Sequence, residues 1–294
     1  MAEFAVVEPA TVDEVLDLLA RYGEEAKPVA GGTWLALVLR QGLLWPSLLV
    51  SLRRVSGLAG ITVDEVGNLR LGAMTRLRSI ETSPLVWERL PVVAETYREV
   101  ANVRVRYQAT VGGNLCDADY ASDPPALLTA LDARVIAVSQ RRWRAIPVRD
   151  FILGHYQTVL EPDELVTEVV VPALPPDAGA VYVKYRTRSH EDRPCIGVAA
   201  VVVPDAEGRL ARAEVVVGAV AERPQRLPEV LDAVRGRALD DASIGEVAER
   251  YAAGIDPLSD LRGSAWYRSE MIRVFVERAL RAARERAQWE GRQP

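Results

Sequence analysis

Thr110-Val111-Gly112-Gly113-Asn114-Leu115-Cys116, followed by Ala121-Ser122-Asp123 and then Pro125-Ala126-Leu127-Leu128, is the stretch on which the reading of this chain turns. A diphosphate needs backbone N–H groups within hydrogen-bonding distance of its oxygens. Glycine allows that approach and reaches positive φ without steric cost. A single Gly-Gly is usually a tight turn, but Ala30-Gly31-Gly32-Thr33 repeats the arrangement, again with a polar residue directly after the pair. Read as two loops that each leave a strand, they form a two-sided clamp on a dinucleotide. Where the first loop opens a helix, free N–H groups and the helix dipole would favour a nearby anion by about 0.3–1 kcal/mol. Neither loop has the Rossmann glycine spacing or the phosphate-loop ending in Gly-Lys-Ser/Thr.

Outward from these loops the chain mixes helices and strands, without a period of 20 to 50 residues that would signal a repeat fold. Thr11 to Tyr22 places Val12, Val15, Leu16, Leu18 and Leu19 largely on one helical face, with Thr11 as N-cap and Glu14 three residues later. Pro28-Val29-Ala30 reads as a strand into the first loop, and Thr33 is placed to cap the helix after it. Strands are expected at Leu48–Leu52, Leu69–Ala73, Ala133–Val138 and Leu165–Val171. A helix is expected over Leu85–Val100. Asp123 before Pro124 reads as the N-cap of a further helix. The turn-rich run Pro172, Pro175, Pro176, Asp177 and Gly179 marks a domain boundary. Beyond it come strands at Ala180–Tyr185, Gly197–Val203 and Ala213–Val220, and helices at Leu227–Val234, Ile244–Gly254 and Ser264–Ala287.

The 294 residues suffice for two domains, and the net charge of −5 argues against a nucleic-acid surface. No segment has the roughly 20 consecutive apolar residues of a membrane span, and the N-terminus does not read as a signal peptide. Cys116 and Cys195 are the only cysteines, half of what an iron–sulfur cluster requires. The cytoplasm is the expected compartment. Lys27 and Lys184 are the only lysines, arginine supplying the remaining basic charge.

The two glycine segments, in order and context, resemble the FAD-binding medium subunit of the molybdenum hydroxylases, the xanthine dehydrogenase and carbon monoxide dehydrogenase group. Lys27-Pro28-Val29-Ala30-Gly31-Gly32-Thr33 is similar to that family's earlier diphosphate loop, and Arg106 stands where the family usually has arginine. The resemblance continues through Phe151, Gly154 and Pro162-Asp163-Glu164-Leu165-Val166. It runs on into Tyr182-Val183-Lys184-Tyr185-Arg186 with Asp192, and Ser259 to Arg268 resembles the lead into the final helix. It departs at Tyr120, where many members have proline, and at Trp34, where a small or polar residue is common.

The resemblance implies an α+β chain: a two-subdomain FAD-binding fold of the vanillyl-alcohol-oxidase type over residues 1–175, with subdomains of about 1–57 and 58–175. A C-terminal α+β domain with a small antiparallel sheet follows over 176–294. It also implies roles for residues. Ala30, Gly31, Gly32 and Thr33, with Thr110, Gly112, Gly113 and Asn114, would hold the diphosphate, and Lys27, Trp34 and Arg106 would belong to the same cofactor site. Asp123 would lie near the adenosine side, and Leu165, Val166 and Lys184 near the isoalloxazine. His155 and His190 match no covalent-attachment motif, so the FAD is expected to be non-covalent. No catalytic residue and no metal ligand can be nominated. Molybdenum cofactor and 2Fe-2S clusters are implied on partner chains, a large and a small subunit. Two other readings stay open: a self-contained flavin oxidase or dehydrogenase with its own organic substrate, and a nucleotide-binding module without catalysis.

Overall fold

The computed structural model describes residues 4–290. The first lobe is built from β1 (Ala5–Val7), α1 (Val12–Tyr22), β2 (Ala26–Val29), α2 (Leu35–Arg40) and β3 (Leu48–Ser51). Its three strands lie in the order β1-β3-β2, all parallel, as strands joined by helical crossovers do. Thr11 caps α1 as read, its Oγ1 accepting from the Glu14 amide, but the Glu14 carboxylate reaches one residue past the N-cap and accepts from the Ala10 amide. The apolar face of α1, through Val15, Leu16 and Leu19, closes on Leu48 and Val50 to make a small core.

The second lobe runs through β4 (Ile61–Val63), β5 (Leu69–Gly72), α3 (Leu77–Thr82), α4 (Pro84–Arg89) and α5 (Pro91–Arg98). It continues with α6 (Val103–Arg106), α7 (Val111–Asp117), α8 (Pro124–Ala130), β6 (Arg134–Val138), β7 (Trp143–Pro147), α9 (Val148–Phe151), β8 (Ile152–Gly154), β9 (Gln157–Thr158) and β10 (Leu165–Val171). Five strands form an antiparallel sheet in the order β4-β5-β10-β6-β7. The single helix expected over Leu85–Val100 is two helices. Proline lacks the N–H that would continue the ladder and disfavours helical geometry in the residue before it, so the break falls at Leu90-Pro91, where Leu90 has φ −148°.

The last part contains β11 (Gly179–Tyr185), β12 (Ile196–Pro204), β13 (Leu210–Gly218), α10 (Pro228–Asp232), α11 (Asp241–Gly254) and α12 (Ala265–Glu290). The three strands make an antiparallel meander. It is covered on both sides: Ala180, Ala199, Val201 and Val216 pack into the core of the second lobe. Val181, Val198, Ala200, Val202 and Val217 pack into a separate core with α11 and α12. Double burial explains why Ile196-Gly197-Val198-Ala199-Ala200-Val201-Val202-Val203 is continuously apolar where a half-exposed strand would alternate. No described helix is long and apolar enough to cross a membrane.

Candidate functional site

The two glycine segments come together, and they do so unequally. At Gly31 an added Cβ would lie 2.1 Å from the Gln108 carbonyl oxygen, so the first loop rests directly on the backbone leading into the second. Gly113 faces the Ala30 methyl, which an added Cβ would meet at 3.5 Å. Gly32 alone of the four has positive φ, +69°, and an added Cβ there would make only an ordinary contact, with Val29 Cγ1 at 3.8 Å.

The second segment is a helix, contrary to its reading as a loop that leaves a strand. It follows α6, and Val111 to Asp117 form α7 with Thr110 as N-cap, its Oγ1 accepting from the Gly113 amide at 3.2 Å. Its amides are used internally: Val111 donates to Thr75 O, Gly112 to Ala73 O and Asn114 to Thr110 O. Gly112 is glycine because α7 crosses β5 so closely that a Cβ would lie 2.7 Å from that of Ala73. Gly112 and Gly113 therefore serve close packing rather than positive φ.

The first segment differs. The backbone N–H groups of Gly31, Gly32, Thr33, Trp34 and Leu35 donate to no acceptor among the described residues. Such a run of free amides beside a glycine at positive φ can donate to an anion. Thr33 does not cap α2: Trp34 occupies the N-cap in helical geometry, with no side-chain capping bond. Its indole stacks on Tyr156, ring centroids 5.6 Å apart.

Other candidate residues fall into separate environments. Lys27 is paired with Glu24 at 3.0 Å on the surface. Arg106 is buried, its Nε on Glu81 at 2.8 Å and its Nη1 on the carbonyls of Val100 and Ala101. Asn114 exchanges hydrogen bonds with Ser122. Leu165 is buried in the first lobe's core, and Val166, on the opposite face of β10, in the second lobe's core.

Asp123 and Lys184, expected at opposite ends of the dinucleotide, are in contact. Lys184 Nζ lies 2.8 Å from Asp123 Oδ2 and donates to Glu99 O at 2.8 Å, the two side chains only 2% and 4% exposed. Tyr182 donates to Asp123 Oδ1 at 2.7 Å. Burial and the Asp123 charge push Tyr182 well above its ordinary value, so it stays a neutral donor. Asp123 makes no capping bond to α8 because β11 claims its carboxylate. Tyr182 was missed in the sequence, although the period of two in Tyr182-Val183-Lys184 puts it on the lysine's face.

A second polar cluster has no motif to announce it. Asp119 is buried and paired with Arg193 at 2.5 Å. Tyr120 donates to Asp260 Oδ2 at 2.6 Å, and its ring meets His155 edge-on at 4.9 Å. Burial pushes the Asp260 carboxyl up, but bonds from Tyr120 and Arg262 and the charge of Arg268 outweigh it and hold it at about 2. Asp117, which closes α7, has an inaccessible Oδ1 without a hydrogen-bond partner.

Comparison with known proteins places this geometry. Residues 2–174 match the family described as the FAD binding domain in molybdopterin dehydrogenase, and residues 181–283 match the CO dehydrogenase flavoprotein C-terminal domain. The chain belongs to the FAD-binding medium subunits of the molybdenum hydroxylases, a family of oxidoreductase subunits. Among its relatives, the 6-hydroxypseudooxynicotine dehydrogenase complex subunit alpha of Paenarthrobacter nicotinovorans is 36% identical, over 97% of this chain and 95% of that one. The carbon monoxide dehydrogenase medium chain of Afipia carboxidovorans is 32% identical, over 95% of this chain and 96% of its own. A solved carbon monoxide dehydrogenase from Hydrogenophaga pseudoflava, lacking the Mo-pyranopterin moiety of its cofactor, superposes with a TM-score of 0.92 at 32% identity. That match covers 97% of this chain and 98% of the other.

Two predictions follow from this geometry. Lys184→Met leaves the Asp123 carboxylate buried without its cation and should cost about 3–5 kcal/mol of stability, read from the denaturant midpoint at constant slope. An unchanged midpoint would mean that the pair contributes nothing. Gly31→Ala should cost roughly 1–3 kcal/mol through its clash with the Gln108 carbonyl. Gly32→Ala has space for its methyl and should cost about 1–2 kcal/mol through positive φ alone. Only the first should separate the loops, seen as faster amide exchange at Ala109 and Thr110.

Proposed function

We propose that the chain holds one FAD non-covalently and relays electrons through it, taking them from a small 2Fe-2S subunit and delivering them to an external acceptor. A large molybdenum-cofactor subunit completes the complex. The observation that carries this reading is the run of free amides from Gly31 to Leu35, resting on Gln108 within the region that matches the FAD domain. These donors fit the charge and spacing of a diphosphate, which supports the cofactor from the chain's own chemistry.

In this reading Gly31, Gly32, Thr33 and Trp34 donate to the diphosphate through their backbone. Ala30 with Thr110, Gly112, Gly113 and Asn114 forms the wall against which it lies. Lys27 and Arg106 flank the two loops. Asp123 and Lys184 act together, fixing β11 against the cofactor side of α8. Leu165 and Val166 anchor β10 in the first and second lobes' cores, behind the site. The flavin supplies reversible acceptance of two electrons, and the protein supplies its position and electrostatic surroundings. Division into residues 1–175 and 176–294 accompanies this assignment, supported by the two family matches on either side of residue 175.

The partners follow from arithmetic as well as kinship. A 2Fe-2S cluster takes four thiolates, whereas Cys116 is exposed and Cys195 is buried in another part of the chain. Any iron–sulfur relay must lie on another polypeptide, and two relatives are described as medium chains of carbon monoxide dehydrogenases. Isolated from its native host, the chain should co-purify with iron, sulfide and molybdenum. Acid precipitation should release its flavin into the supernatant at about one FAD per chain. A metal-free homo-oligomer that oxidises an organic substrate unaided would overturn the assignment. Yellow colour retained by the precipitate would overturn non-covalent attachment alone.

A further inference from the structure

Asp117 is a carboxylate at the end of the second glycine segment's helix that the fold leaves incompletely paired. It ends α7, three residues after Asn114 and so on the same helical face. Ala118 then adopts left-handed geometry, φ 48° and ψ 35°, which stops the helix there. The Ala118 carbonyl accepts from the Tyr156 amide at 3.1 Å, and Tyr156 stacks on Trp34 at the end of the free-amide run. Asp117 thus closes α7 one residue before the carbonyl that holds the Tyr156 amide.

Its surroundings leave it incompletely paired. Asp119, in the turn after α7, is committed to Arg193 from the connection between β11 and β12, and to the Ala121 amide. Tyr156 faces Asp117 from the turn between β8 and β9, and Cys116 adjoins it on its own helix. Arg262, before α12, acts on Asp119 and Tyr156 rather than on Asp117. One Asp117 oxygen therefore remains inaccessible and without a hydrogen-bond partner. Burial first, and the Asp119 charge second, push its carboxyl up to about 7 against the pull of Arg193. A carboxyl in that position changes its protonation near neutrality, where an ordinary aspartate would be fully ionised.

We infer that Asp117 is a proton-holding residue of the flavin site, a carboxyl that takes up a proton from solvent when the bound flavin is reduced. The inference rests on the proposed FAD assignment. Reduction brings two electrons, from the iron–sulfur partner or from dithionite, together with whatever protons the flavin itself binds. Any negative charge left on the reduced ring further disfavours the Asp117 carboxylate. One additional proton then enters, converting carboxylate to carboxylic acid, and leaves again when the electrons do. Below the carboxyl's own titration the proton is already present and no extra uptake occurs.

The test is a spectroelectrochemical titration of the FAD-loaded full chain from about pH 5.5 to about pH 9, wild type against Asp117→Asn. The slope of midpoint potential against pH counts protons per electron pair. Above about pH 7 the wild type should take up as much as one proton more than the variant. At the acid end of the range the two should coincide. Asp117→Glu keeps the carboxyl and should retain the extra proton, providing a second variant if asparagine weakens flavin retention. Infrared difference spectra of the wild type should show a carboxylic-acid carbonyl band growing on reduction at about pH 8. Identical slopes in wild type and Asp117→Asn, or a wild type without extra uptake and without that band, would overturn the inference while leaving FAD binding intact. Failure of the wild-type chain to bind FAD would overturn the underlying assignment as well.

Discussion

Between Gly31 and the Gln108 carbonyl there is no room for a methyl group, and the architecture around the two glycine segments depends on that contact. It sets the parallel lobe's first loop against the approach to α7. In turn, α7 is fixed at the end of β5 by the close pass of Gly112 over Ala73. The geometry is a stack of backbones: loop on loop approach, helix on strand. Each layer needs glycine for a steric reason that differs from the one usually given for a phosphate-binding loop. Donor groups for a ligand are then left to the one segment whose amides have no partner in the fold.

The pair formed by Lys184 and Asp123 extends this arrangement into the last part of the chain. β11 belongs to a sheet buried on both faces, so its side chains must satisfy neighbours on each side. Val181 goes to the core with α11 and α12, while Tyr182 and Lys184 turn toward α8. A lysine this deep is held by two oxygens, one a carboxylate and one the Glu99 carbonyl at the end of α5. Three elements distant in sequence are tied by one ammonium group. The desolvation cost of burying it is offset by those contacts.

How much of this was legible in the sequence depended on whether the determining contact was local. The Thr11 cap, the apolar strand β12 and the periodic face of α1 are written in neighbouring residues and were read correctly. The family was legible too, because its two glycine segments stand in order across a long match. Thr110-Val111-Gly112-Gly113 looked like a loop because a glycine pair in a helix is unfavourable by propensity. The compensating factor, the approach of Ala73, lies 39 positions away by subtraction of residue numbers. Asp123 before Pro124 had every local mark of a cap and was claimed by β11 instead. The cluster of Asp117, Asp119, Arg193 and Tyr156 has no signature, since its members come from three separate turns and meet only in the fold.

Arginine supplies nearly all the positive charge, and one consequence reaches beyond the cofactor. Of the two lysine amines, Lys184 is sealed beneath the last sheet and Lys27 is at the surface on β2, the strand that runs into the free-amide loop. Amine-directed chemistry on the folded chain therefore has a single accessible side-chain address. A fluorophore attached through Lys27 would sit on the strand that runs into the first loop. A surface coupling through the same amine would orient every molecule alike, a uniformity that electrode work on a redox protein requires.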